Sequence, residues 1–391
     1  MRPYRTTVSF NATMFITLLA VCSAMLCPNS PWVSTARAKS KSVIQKVVDK
    51  PQIEVCFVLD TTGSMGGLIE GAKRKIWSIT NDLISTKPTP SIKIGMIAYR
   101  DRTDAYTTKN FNLTDDIDEI YGHLMKFKAD GGGDTPESVN QALHEAVTKM
   151  SWSKNKKVLK VIFLVGDAPP HMDYKDDVKY PETCKLAVKN DLIINTVQCG
   201  KIGSTRPIWQ QIARLSEGSF VALGQTGDMV AVATPYDKEI AALSDQIGDT
   251  VIAYGNAAAI DGVTKKLARA KAAPAPSKAD RSAALSKSEG TVVTGHADLV
   301  QSIELGSVKL KDIKENKLPD KLKKMKPKER EDYIKQQSAK RTEIQKKLTE
   351  LVKKRDSFVI AERKKLAGKG KKDAFDEKVA EIITEQAKRK R

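Results

Sequence analysis

The stretch Glu54-Val55-Cys56-Phe57-Val58-Leu59-Asp60-Thr61-Thr62-Gly63-Ser64-Met65-Gly66-Gly67 passes abruptly from an apolar run into small, oxygen-bearing residues and glycine. The apolar part reads as a strand buried on both faces. The segment after it, residues 68–84, places Leu68, Ile69, Ala72, Ile76, Ile79 and Leu83 on one helical face. Working outward, the same alternation continues. Strands are expected at 92–99, 158–165, 192–198 and 220–223. Helices are expected at 115–127, 136–150, 181–189, 208–215 and 237–254, the second of them with Thr135 as its N-cap and Pro136 in its first turn. Continuous Val/Ile/Leu strands interleaved with amphipathic helices predict an α/β fold: a doubly wound, mostly parallel sheet with helices on both faces.

In such a sheet, ligands sit beyond the carboxyl ends of the strands. Three loops there are rich in small polar residues. They are Asp60-Thr61-Thr62-Gly63-Ser64, the run Gly166-Asp167-Ala168-Pro169-Pro170-His171, and between them Asp130-Gly131-Gly132-Gly133-Asp134-Thr135-Pro136-Glu137. Each alone has an ordinary structural use, as a helix cap, an anion-cradling nest or a turn. Converging at one rim, two carboxylates and several hydroxyls suit a hard cation with oxygen ligands, Mg²⁺ better than Zn²⁺. No Gly-x-x-x-x-Gly-Lys-Ser/Thr run occurs, which argues against nucleotide binding.

The pattern Asp60-x-Thr62-x-Ser64, with Thr135 in a glycine-rich loop and Asp167 after a buried strand, resembles the metal-ion-dependent adhesion site of von Willebrand factor type A (VWA) domains. The likeness extends over residues 52–255. It implies that Asp60, Thr62, Ser64, Thr135 and Asp167 hold one Mg²⁺ (or Mn²⁺), directly or through water. It further implies that an exposed Asp or Glu of a protein partner completes the coordination. Thr62 stands where most members have Ser; the hydroxyl is retained, and the added methyl takes up room at the site. Binding rather than bond-breaking is the expected use, because a water-activating cation also needs a nearby base and a substrate pocket. His144-Glu145 is followed by Thr148 where a zinc protease would need a second His, and no Gly-x-Ser-x-Gly is present, so no enzymatic activity is expected.

The amino end carries Arg2 and Arg5, an apolar stretch over 14–27, then Ala36-Arg37-Ala38. Basic flank, short apolar core and small-x-small site together predict a signal peptide cleaved after Ala38, hence export to the periplasm or the extracellular space with no transmembrane span in the mature form. Cys22 and Cys27 leave with it. Of the remaining Cys56, Cys184 and Cys199, the first reads as a buried apolar side chain; the other two form either a disulfide or a pair of free thiols.

The formal net charge of +19 is unevenly spread. Residues 52–255 hold 23 basic and 26 acidic side chains, whereas residues 301–391 hold 29 and 16. The expected organisation is a signal peptide (1–38), a short linker (39–51), the VWA-like domain (52–255), an Ala/Pro/Ser/Lys linker (256–300) and a basic α-helical C-terminal region (301–391). In that last region a long helix from Pro327, with an apolar seam at Ile344, Leu348, Leu351 and Phe358 interrupted by Arg355, is expected to fold back on a second helix as a coiled-coil-like hairpin. An alternative function follows from it: a structural or assembly protein held to an anionic surface or polymer by its basic helices, with the VWA fold as scaffold. Nucleic acid is disfavoured as that polymer, since few aromatics are free for stacking.

Overall fold

The computed structural model describes residues 51–84, 89–228, 232–287, 297–369 and 374–389. The expected signal peptide, its cleavage point and nearly all of the short linker after it lie outside these residues. Among the described residues six strands form one sheet: β1 (Gln52–Asp60), β2 (Ser91–Tyr99), β3 (Thr108–Thr114), β4 (Leu159–Gly166), β5 (Ile193–Cys199) and β6 (Phe220–Leu223). Their spatial order is β3-β2-β1-β4-β5-β6, and every pairing is parallel except β2 with β3. The α/β, mostly parallel expectation therefore holds. The antiparallel edge strand β3 was not expected. Its sequence, Thr-Lys-Asn-Phe-Asn-Leu-Thr, lacks an apolar run because an edge strand with a wet face does not need one.

The helices are α1 (Gly66–Ile84), α2 (Ile117–Leu124), α3 (Val139–Thr148), α4 (Tyr180–Lys189), α5 (Thr205–Leu215) and α6 (Asp237–Gly248). Then follow α7 (Ala257–Ala272), α8 (Ala275–Lys287), α9 (Leu299–Glu304), α10 (Asp320–Lys323), α11 (Pro327–Gly368) and α12 (Ala374–Lys388). Alternate residues of each central strand serve opposite faces. On one face Val55, Leu59, Val161 and Phe163 pack with Leu68, Trp77 and Leu83 of α1, Ile120 and Leu124 of α2, and Phe375, Val379 and Ile383 of α12. On the other, Cys56, Val58, Ile162 and Leu164 meet Leu143 of α3, Cys184 of α4 and Trp209 of α5. Cys56, Cys184 and Cys199 are buried free thiols, so the disulfide alternative gives way to the other.

Two helix limits depart from expectation. α3 begins at Val139 after Ser138, not at Pro136 after Thr135, because the Glu137 amide donates to the Pro169 carbonyl at 2.9 Å and the Glu137 carbonyl accepts from the His171 amide at 3.1 Å. That two-sided pairing holds residue 137 in extended form against the loop after β4. α6 stops at Gly248, and the chain turns so that Ile252 joins Leu299, Leu318, Leu322 and Ile334 in a separate apolar cluster.

The expected linker is largely helical. Alanine is the best helix former, and Pro276 sits in the first turn of α8, where a missing amide hydrogen costs nothing. The small side chains let α8 lie close against α1 and α6, burying Ala279, Ala283 and Ala284. Arg281 on α8 is buried too, and its guanidinium meets both oxygens of Asp118 at 2.7 Å.

The C-terminal region is part of the same body. The seam of α11 packs on α6 and α8 through Ile344, Leu348 and Val352 rather than on α12. The interrupting Arg355 is buried and reaches Asp237 and Asp280, each at 2.8 Å. α12 lies instead on α1, β4 and β6, where the side-chain amides of Gln386 and Asn195 bond reciprocally at 2.7 and 3.1 Å. The predicted hairpin is thus replaced by two separate docking sites.

Candidate metal centre

Strand order reverses at β1, whose neighbours are β2 and β4, and the carboxyl ends of β1 and β4 open onto one rim. Asp60, the last residue of β1, is fully buried. Its Oδ1 accepts from the Thr62 amide at 2.9 Å and from Thr62 Oγ1 at 2.6 Å. Thr62 Oγ1 is in turn 3.4 Å from Ser64 Oγ. The other carboxylate oxygen, Asp60 Oδ2, is buried and has no hydrogen-bond partner among the described residues. Burial pushes the Asp60 carboxyl up to about 7, against the pull of the two Thr62 hydrogen bonds, and the nearby charge of Asp167 adds to the rise.

Gly166 explains how the rim stays open. A Cβ there would lie 3.1 Å from Asp60 Oδ2 and only 2.4 Å from the Tyr99 hydroxyl, which is also buried and unpartnered. Asp167 follows directly; its Oδ2 accepts from Gln225 Nε2 at 2.7 Å and its carbonyl accepts from Thr205 Oγ1 at 2.7 Å. Gln225 Nε2 also reaches the Ser64 carbonyl at 3.2 Å, tying the β6 exit to the β1 exit.

The glycine-rich loop closes over this pair. The Gly63 amide donates to the Gly131 carbonyl and the Asp130 amide to the Thr61 carbonyl. Gly131 and Gly132 both have φ near +80°, the left-handed region that favours glycine. At Gly132 a Cβ would stand 3.2 Å from Thr62 Cβ, 3.5 Å from its methyl carbon and 3.2 Å from Glu137 Oε1. The methyl of Thr62 therefore lies against the side of Gly132 that carries no side chain. Arg100, buried beneath the loop, holds its base through the carbonyls of Thr61 and Lys128.

Of the five expected ligands, Asp60, Thr62 and Ser64 are joined by hydroxyl and carboxylate contacts, and Asp167 faces Asp60 closely enough to raise its proton affinity. Thr135 is on the same loop as Gly132 but is exposed, and among the described contacts it makes no hydrogen bond to the other four. Glu137, in the same loop, belongs to no motif that marks it as a site residue. It is 3% exposed, its Oε2 has no partner, and burial together with the charges of Asp60 and Asp101 pushes its carboxyl up to about 9. Tyr99 and Gln225 were likewise missed, since their place at the rim comes from sheet register and from the β6 exit, neither of which leaves a local motif. Buried carboxylates with unpartnered oxygens, beside hydroxyls and a glycine cradle, fit a divalent cation with oxygen ligands.

Residues 54–226 match the family described as the von Willebrand factor A domain. Among curated proteins, an ariadne-like RING finger protein of Acanthamoeba polyphaga mimivirus is 29% identical over 146 residues, 37% of this chain and 14% of that protein. The alpha-protein kinase vwkA of Dictyostelium discoideum is 28% identical over 120 residues, 30% of this chain and 19% of that protein. The chain thus spans less than a fifth of the length of either relative. Among solved structures, the SpRpn10 VWA domain is 16% identical with a TM-score of 0.35, covering 45% of this chain and 89% of that one. Proximal thread matrix protein 1 from the mussel byssus, solved with a zinc-occupied MIDAS motif, is 18% identical with a TM-score of 0.35, covering 47% of each chain.

Proposed function

The chain carries a von Willebrand factor A domain, and from that premise we propose that its rim is a cation-dependent binding site for a protein partner. In this reading Asp60, Thr62, Ser64, Thr135 and Asp167 hold Mg²⁺ (or Mn²⁺), and an Asp or Glu of the partner completes the coordination. The observation that carries it is the buried Asp60 carboxylate, with one oxygen unpartnered and a second carboxylate beside it. Without a cation the two carboxylates repel each other, a repulsion relieved when Asp60 keeps its proton. With one, the remaining open position suits an anionic oxygen from outside. Calorimetric titration of the full chain with Mg²⁺ is expected to give a binding heat that Asp60→Ala and Asp167→Ala abolish; equal heats in all three proteins would remove the site.

The protein works outside the cytoplasm in this reading. Support comes from Arg2, Arg5, the apolar stretch over 14–27 and Ala36-Arg37-Ala38. Among the described residues no helix is long and apolar enough to cross a membrane. Sequencing the amino end of the protein recovered from the exported fraction is expected to start at Lys39. A chain still starting at Met1 would refute cleavage.

Attachment to an anionic surface through the C-terminal region is ranked second. It draws on exposed lysines of α11 such as Lys335, Lys346, Lys353 and Lys354, while Arg341 and Arg355 of the same helix are turned inward. Partner capture separates the two readings: loss in EDTA supports the cation, whereas loss in high salt alone supports attachment.

A further inference from the structure

A second set of donor atoms converges at the same rim and shares no residue with the five above. Asp101 after β2, Asp134 in the glycine-rich loop and His171 after β4 each bring one donor atom to within 4.8 Å of the others. The His171 ring is buried, with Nδ1 2.8 Å from Asp173 Oδ1. Its Nε2 has no hydrogen-bond partner among the described residues, and stands 3.5 Å from Asp101 Oδ1 and 3.7 Å from Asp134 Oδ2. A carboxylate at Nδ1 fixes the ring hydrogen there and leaves the Nε2 lone pair directed away from it, which is the usual setting of a metal-binding histidine.

The surroundings hold two of these three groups in place. The Tyr174 ring stacks on His171 at 4.0 Å and 11°, while its hydroxyl donates to the Asp101 carboxylate, as does Ser138 Oγ at 2.9 Å. The third group, Asp134, has a side chain 60% exposed, which gives an ion a way in from solvent.

We propose that Asp101, Asp134 and His171 form a second divalent-cation site, suited to a transition ion of the Zn²⁺ or Mn²⁺ kind rather than to Mg²⁺. One imidazole nitrogen and two carboxylates make a mixed donor set that such ions accept readily, whereas Mg²⁺ favours oxygen alone. The ion would clamp together the loops that leave β2, precede α3 and leave β4. The site does not depend on the first one being filled. Its competitor is a proton: an imidazolium at His171 bridging the two carboxylates with no metal at all.

The test uses the full chain and Zn²⁺ as probe, by equilibrium dialysis in excess Mg²⁺. One Zn²⁺ is expected to bind per wild-type chain and per Asp60→Ala chain. Affinity is expected to weaken at least about ten-fold, a loss seen even for groups that only support a metal ligand, in both Asp134→Asn and His171→Gln. Asp134 is exposed, so its variant keeps the comparison valid if His171→Gln fails to fold. Zn²⁺ is also expected to shift the His171 ring resonances in NMR spectra. Unchanged uptake in Asp134→Asn, uptake lost in Asp60→Ala, or His171 resonances that ignore Zn²⁺ would each overturn the site.

Discussion

Arg341→Ala is expected to destabilise the protein by about 3–5 kcal/mol, the loss typical of a buried ion pair deprived of one partner. Asp298 is fully buried, and its two oxygens accept from the Arg341 guanidinium at 2.7 and 3.3 Å. The same guanidinium donates to the Thr250 hydroxyl at 2.8 Å and the Thr250 carbonyl at 3.0 Å. Alanine at 341 would leave a carboxylate sealed from water with the Val300 amide, at 3.2 Å, as a remaining donor. Chemical denaturation of Arg341→Ala, Asp298→Ala and the double variant gives the coupling between them. The double variant is expected to lose far less than the sum of the singles, because no lone charge remains. A loss under about 1 kcal/mol for Arg341→Ala would place the pair in the class of water-screened surface bridges and refute its buried role.

The second large effect is a pH dependence that depends on the cation. Asp60 has its proton affinity raised by burial, so between the ordinary carboxylate range near 4 and about 7 the cation-free folded protein holds a proton that the unfolded chain has released. More protons in the folded state mean that stability falls as pH rises, by roughly 1.4 kcal/mol per pH unit while the difference is a full proton. Glu137 extends the fall toward pH 9. In EDTA, denaturation midpoints are therefore expected to drop steadily from pH 4 to 7. Saturating Mg²⁺, which binds the ionised carboxylate, is expected to flatten that slope, so that the stabilisation by Mg²⁺ grows with pH. Asp60→Asn removes one of the two titrating groups and is expected to keep only the part of the slope that Glu137 sets, with no flattening by Mg²⁺. Identical slopes with and without Mg²⁺ in the wild type would separate Asp60 from any cation.

The same residues show what can be read before folding and what cannot. Residues 158–165 declare a central strand because burial on both faces demands an unbroken apolar run, and Asp60, Thr62 and Ser64 meet because a tight turn joins them. β3 has no comparable demand and left no comparable run. Residues 256–287 misled because alanine, serine and lysine serve a linker and a close-packed helix equally well; only the approach of α1 and α6 decides between them. Arg355 interrupts an apolar seam in sequence, yet in space it faces Asp237 and Asp280 from two other helices. Glu137 and Tyr99 join the rim through contacts between distant segments. The basic excess of residues 301–391 is likewise partly internal, since Arg341 pairs with Asp298 and Arg355 with Asp237 and Asp280, all outside that region.

The placement of α12 also imposes an order on biosynthesis. Gln386 bonds to Asn195, 191 positions earlier in the chain, and Phe375, Val379 and Ile383 cover strands made much earlier. A chain emerging amino end first cannot seal that face of the sheet until residues 374–388 have left the ribosome. Pairings so far apart in sequence form late and leave apolar surface open to chaperones meanwhile. For a protein exported as proposed, this delay keeps the polypeptide threadable until α12 has been made.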